Sequence, residues 1–233
     1  MSEKESLARQ FIIDFPSQPE YSFSNFVVSE GSNVAFDAAR QFCNDPPALF
    51  NTLYLYGGKN LGKTHLLISI GNQFASMGKK ALYIHGLDFV QKTDENANGS
   101  SGEFISILSN ADLFLLDAVD HISNQPASQK KLYLIFNSLF EKEKKIAFAG
   151  NRNPANLEST ESYLTSRFQW GMSAELKSID DNTTAKIITK LAKDIGLIIP
   201  NKVVDYLLIR IPRDFMSIKH AITKINPESY ILK

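Results

Sequence analysis

NTLYLYGGKNLGKTHLL, residues Asn51–Leu67, decides the fold. Leu53–Tyr56 is a short apolar run of strand length, stopped by Gly57-Gly58. Lys63 opens a stretch that sets Leu66, Leu67 and Ile70 on one helical face. Between them, Gly57–Thr64 fits G-x-x-x-x-G-K-[ST], in the strand–loop–helix setting that this motif requires. In such a loop, glycines let successive backbone N–H groups turn toward phosphate oxygens. The helix that follows adds the positive end of its dipole. Gly57, Gly58, Asn60 and Gly62 are the candidate nucleotide-binding residues of the loop, with His65 just inside the helix. Lys63 is placed to meet the β- and γ-phosphates, and the Thr64 hydroxyl to take one position on Mg²⁺.

Further along, ALYIH (Ala81–His85), LFLLD (Leu113–Asp117) and IAFAG (Ile146–Gly150) read as buried strands. Leu132, Ile135, Phe136, Leu139 and Phe140 recur at helical spacing between the last two. Strands alternating with helices predict an α/β fold with a parallel sheet and right-handed crossovers. TDENANGSSG (Thr93–Gly102) is polar and Gly/Ser-rich and reads as a mobile surface loop. After about Leu176 the strand signals stop. Asp180 or Asp181 can cap a helix closed by Gly196, Pro200 opens a second, and a third follows Pro212. The expected organisation is an N-terminal tail over 1–20, a nucleotide-binding core over 21–176 and a small helical lid over 177–233.

Composition bounds the function. The 233 residues carry 25 basic and 25 acidic side chains, so the formal charge is zero and a DNA-coating protein is disfavoured. DNA contact is therefore expected to be indirect or weak. A single cysteine, Cys43, excludes a disulfide scaffold and a four-cysteine zinc site. MSEKESLARQ lacks an apolar signal core, and no apolar run reaches membrane-spanning length. A cytoplasmic location without membrane contact is the expectation.

Asp117 ends the run LFLLD, where a P-loop protein places a metal-holding carboxylate; capping the next segment is the plainer alternative. An ATPase also needs a group that orients water. The residue after Asp117 is Ala118, and Asp120 and His121 stand off the usual spacing, so slow turnover is expected of this chain alone.

Several ordered motifs resemble one family. YSFSNFVVSEGSNVAFDAAR (Tyr21–Arg40), followed by the loop above, is similar to the start of the AAA+ domain of DnaA-type replication initiators. LFLLDAVDHI resembles their Walker B strand, AGNR (Ala149–Arg152) their sensor 1 segment, and LTSRFQWGM (Leu164–Met172) their box VII. The chain ends at Lys233, without the helix-turn-helix domain of initiators, and begins with a short tail. That architecture is similar to the short DnaA homologues of the Hda type, which act in regulatory inactivation of the initiator.

The resemblance implies roles. Arg167 matches the arginine finger, offered in trans to ATP on an initiator subunit; a surface ion pair is the plainer reading. Asn151 matches the sensor 1 residue, although a turn role also suits it. Phe26, Val27 and Val28 match the adenine-pocket segment, and core packing would account for them equally. At sensor 2 the family's arginine is replaced by Met216, with Arg213 three residues earlier as the substitute. Bound ADP or ATP with Mg²⁺ is implied. In the tail, Gln10, Phe11, Ile13 and Phe15 resemble a peptide that docks on the DNA polymerase sliding clamp; packing on the protein's own sheet is the alternative. Self-association, finger to nucleotide, is compatible with the family. A self-contained AAA+ ATPase acting on DNA, such as a helicase loader, is the competing function.

Overall fold

The computed structural model describes residues 13–15, 20–44, 50–93 and 101–231. Its centre is a sheet of β1 (Ile13–Asp14), β2 (Thr52–Gly57), β3 (Ala81–His85), β4 (Leu113–Asp117), β5 (Lys145–Gly150) and β6 (Met172–Leu176), in the order β1-β3-β4-β5-β2-β6. All pairings are parallel except that of β1 with β3. The inner strands are apolar along almost their whole length because both faces are covered.

Side chains alternate across the sheet. Leu53, Leu55, Leu113, Leu115, Ala147 and Ala149 meet Leu66, Leu67 and Phe74 of α2 (Lys63–Ser76) and Phe42 of α1 (Asn33–Phe42) on one face. Tyr54, Phe114, Leu116 and Phe148 point the other way. They pack under α3 (Gly86–Thr93), α4 (Ser101–Ser109), α5 (Pro126–Glu141) and α6 (Ser162–Phe168). A third cluster joins α7 (Asp181–Asp194), α8 (Asn201–Arg210) and α9 (Phe215–Ile231) through Ile187, Ile188, Val204, Leu207, Ile218 and Ile222. Asp180 caps α7, its carboxylate accepting the Thr183 backbone N–H at 2.7 Å.

Three features differ from the sequence expectation. Residues 172–176 form β6, paired with β2 from Leu53↔Met172 to Gly57↔Leu176. This strand follows a glycine: a Cβ at Gly171 would lie 1.9 Å from the Thr52 carbonyl oxygen, so only glycine lets the chain enter the sheet there. Thr93 closes α3 and Ser101-Gly102 opens α4; the rest of the expected loop lies outside the described residues. Ile13 and Asp14, read as part of a tail, add an edge strand opposite Tyr83 and Leu82. No helix among the described residues is long and apolar enough to cross a membrane.

Cys43 lies buried at the end of α1, and burial pushes its thiol up to about 12. The thiolate is the reactive species. An aromatic disulfide reagent at pH 8 is therefore expected to leave the native chain unmodified and to titrate the single thiol once denaturant is added. Stopped-flow absorbance measures both.

Candidate nucleotide site

The parallel register brings four strand ends together. Tyr56 of β2 stands beside Gly150 of β5, and His85 of β3 beside Asp117 of β4. In an open α/β sheet this carboxyl edge is where ligands bind. The phosphate loop leaves β2 at Gly57 and reaches α2 at Gly62, whose φ of 100° is left-handed. A Cβ at Gly62 would also meet the Phe26 ring at 2.7 Å. Glycine is required here both by conformation and by space.

Lys63 is buried, and its ammonium donates to the carbonyls of Gly57 at 2.8 Å and Gly58 at 2.6 Å. Burial lowers its pKa, while Asp117 and Asp120 oppose that shift. A phosphate oxygen offered to this ammonium replaces neutral carbonyls with a charged acceptor, a stronger partner. Thr64 lies next to it, its hydroxyl donating to the Asp117 carboxylate at 2.6 Å. The Tyr83 hydroxyl donates to the same oxygen at 3.0 Å. A hydroxyl and a carboxylate converging at the loop are the hard oxygen donors that Mg²⁺ takes alongside phosphate and water. These two residues fit the ion; Asp117 accepts the Ala118 N–H at 2.7 Å as well as the two hydroxyls.

A cleft of about 680 Å³ opens beside the loop. Asn60, Leu61, Gly62, Lys63, Thr64 and His65 form one side, and Tyr21, Phe26, Val27 and Ser29 another. The lid contributes Ile187 and Leu191 from α7 and Phe215, Met216 and Lys219 from α9. Such a volume suits a small organic ligand. Phe26 stacks on Phe36 at 5.6 Å and meets the His65 ring edge-on at 5.2 Å. The His65 ring nitrogen pairs with the Ser22 carbonyl oxygen at 2.9 Å, and burial lowers its pKa. Loop and lid are tied: the Asn60 carbonyl accepts the Phe215 N–H at 3.2 Å, and its side chain bonds Asp214.

Comparison with known proteins agrees with this geometry. The family described as Bacterial DnaA ATPase domain matches residues 17–175. The chain belongs to the bacterial DnaA ATPase domain family. The chromosomal replication initiator DnaA of Aquifex aeolicus is 34% identical over 209 residues, covering 89% of this chain and 52% of that protein. The chain thus spans about half the length of the curated relatives it matches. Domain III of the Thermotoga maritima initiator superposes with a TM-score of 0.86 at 30% identity, covering 93% of this chain and 92% of that one. AMPPCP-bound DnaA from Aquifex aeolicus gives 0.82 at 33% identity, covering 90% of this chain and 66% of that one.

Several expected residues of this DnaA-type domain stand elsewhere than anticipated. Val28 is 40% exposed and does not line the cleft; the extended segment alternates, and Ser29 takes the inward position. Arg213 does not line it either, because Asp181 in the first turn of α7 holds its guanidinium in an ion pair. Lys219, one helical turn beyond Met216, does line the cleft; only the i, i+3 spacing on α9 marked it in the sequence. Asn151 is exposed, and its backbone N–H donates to Asp120 at 2.7 Å. Asp120, set aside on spacing, thereby stands between the Walker B and sensor 1 segments. The αL turn at Ala118, φ 51°, brings it there.

Arg167 sits on α6 and does not line the cleft of its own chain. Its guanidinium lies 3.9 Å from the Trp170 ring centre and 5.0 Å from that of Tyr133. Nε donates to Asn137 at 3.2 Å and Nη2 to the Tyr133 hydroxyl at 3.2 Å. The side chain is half-buried, beside the 49% exposed Trp170. Gln10 and Phe11 lie outside the described residues. Ile13 takes part in β1, and the half-buried Phe15 packs over Gly71 of α2, where a Cβ would fall 2.2 Å from its ring.

Gly62→Ala forces a left-handed alanine against Phe26. A loss of about 1–3 kcal/mol in stability is expected. Weaker AMPPCP binding should accompany it. Urea denaturation and calorimetric titration of the variant measure the two effects.

Proposed function

We propose that the chain binds ADP or ATP with Mg²⁺ between its sheet edge and its helical lid, and regulates replication initiation through a DnaA-type initiator. The carrying observation is the conjunction at one place of the buried Lys63, the Thr64–Asp117 pair and a lidded apolar cleft. The aromatic and aliphatic walls from Phe26, Val27, Ile187 and Leu191 suit a purine. Solved structures of DnaA relatives bound to AMPPCP support the reading. Lys63→Ala should lower nucleotide affinity at least tenfold, measured by titration with a fluorescent ATP analogue.

Within this function we infer that Arg167 serves a nucleotide held by another subunit. What supports it is position: Arg167 is half-exposed and outside the cleft of its own chain. Trp170 and Tyr133 both lie against the guanidinium, and two of its five N–H groups donate to Asn137 and the Tyr133 hydroxyl. A preorganised cation of this kind stabilises charge developing on a γ-phosphoryl group in trans. Docking on the sliding clamp through Gln10–Phe15 belongs to the same reading and requires Phe15 to leave Gly71.

Arg167→Ala is expected to bind AMPPCP within about twofold of the wild type while the stimulation of initiator ATP hydrolysis falls by about 10³-fold. Full stimulation by this variant removes the finger role. Clamp capture by the wild type and by a Gln10→Ala, Phe11→Ala variant tests the tail, sparing Phe15, which has a packing role of its own. Equal capture, or none by either, removes the clamp peptide.

A further inference from the structure

Position 118 leaves a chemical gap. In a P-loop ATPase an oriented acceptor must hold the attacking water, and the side chain after Asp117 is a methyl group. Two observations point to what fills it.

The first is the path of the chain. Ala118 adopts φ 51°, a left-handed conformation that costs a non-glycine residue energy. Its carbonyl lies against Gly86, where a Cβ would fall 2.4 Å from that oxygen. The chain therefore turns at once into a 3-10 turn over Val119–Ile122, and the first carboxylate to come back over the sheet end is that of Asp120. Asp120 Oδ2 accepts the Asn151 N–H at 2.7 Å, which aims it at the seam between β4 and β5.

The second is an orphan hydroxyl. Tyr54 is fully buried, and its hydroxyl is the one buried side-chain polar atom without a hydrogen-bond partner among the described residues. Burying a polar group unpartnered is costly. This hydroxyl and Asp120 Oδ2 flank the same point, lying 2.4 and 3.5 Å from where a Cβ of Gly150 would stand. A glycine there keeps the space between them open. Burial and the neighbouring Asp120 raise the Tyr54 pKa, so the phenol remains a donor.

We propose that Asp120 is a catalytic residue, the water-orienting acceptor that replaces a carboxylate at position 118, and that Tyr54 positions it, its unpartnered hydroxyl being the donor available in the space beside Gly150. This rests on the nucleotide reading of the phosphate loop. With ATP on Lys63 and Thr64, a water held by Asp120 attacks the γ-phosphorus. The bond from that phosphorus to the β–γ bridging oxygen breaks, and ADP leaves with that oxygen. The displaced water proton passes through Asp120 to the phosphate formed.

The test compares wild type, Asp120→Asn, Tyr54→Phe and Lys63→Ala in the full chain. AMPPCP binding, binding of ADP with aluminium fluoride, and single-turnover ATP hydrolysis are measured with Mg²⁺. Asp120→Asn is isosteric and keeps an acceptor for the Asn151 N–H. It should bind AMPPCP within about twofold of wild type, bind the aluminium fluoride complex at least tenfold more weakly, and hydrolyse ATP about 10²-fold more slowly. Tyr54→Phe should show the same pattern at smaller size. The proposal is overturned if Asp120→Asn keeps both fluoride-complex affinity and rate within threefold of wild type. It is equally overturned if wild type hydrolyses no faster than Lys63→Ala. Failure of wild type to bind AMPPCP instead overturns the nucleotide reading beneath it.

Discussion

A hydrogen bond across 53 residues of sequence organises the molecule: the Thr64 hydroxyl on the Asp117 carboxylate, 2.6 Å apart. It joins the first turn of α2 to the end of β4, with β5 lying between β4 and β2 in the sheet. For these two groups to meet, the strands must be parallel, in register, and all presenting their carboxyl ends to one side. The buried runs of β2, β4 and β5 are the means of that alignment, since strands covered on both faces cannot slip without exposing apolar side chains. The core, in this sense, is a device for holding one hydroxyl against one carboxylate beside a buried ammonium.

The lid relates to that edge through few residues. Leu61 packs both with the sheet cluster around α2 and with the lid cluster. Val27 reaches the lid cluster from the other wall. The cleft is therefore lined by two bodies, each with its own apolar core, that meet over the phosphate loop. A ligand lying there contacts both, and so is sensitive to their relative placement.

Much of this was legible in the sequence, and the exceptions have physical causes. LFLLD and IAFAG announced themselves because both faces of those strands are apolar. MSAEL, which forms β6, did not: an edge strand with one solvated side alternates, and Ser173 and Glu175 break the run. The phosphate loop was readable because its chemistry is local, from Gly57 to Thr64. Asp120 was not, since its place depends on the left-handed turn at Ala118 and on Gly150 from another strand. Arg213 looked suitable by spacing, but a spacing says nothing of the competing carboxylate that Asp181 offers. Lys219 went unnoticed because an exposed lysine on a helix is unremarkable until the opposite wall is known.

Asn60 adds one last consequence. This single residue gives its carbonyl to Phe215 and its side-chain amide to Asp214, so the phosphate loop and the start of α9 share a clasp. Opening the lid away from the loop would have to break those bonds. The residence time of a ligand held there, rather than its affinity alone, would then depend on an asparagine that never needs to touch the departing group.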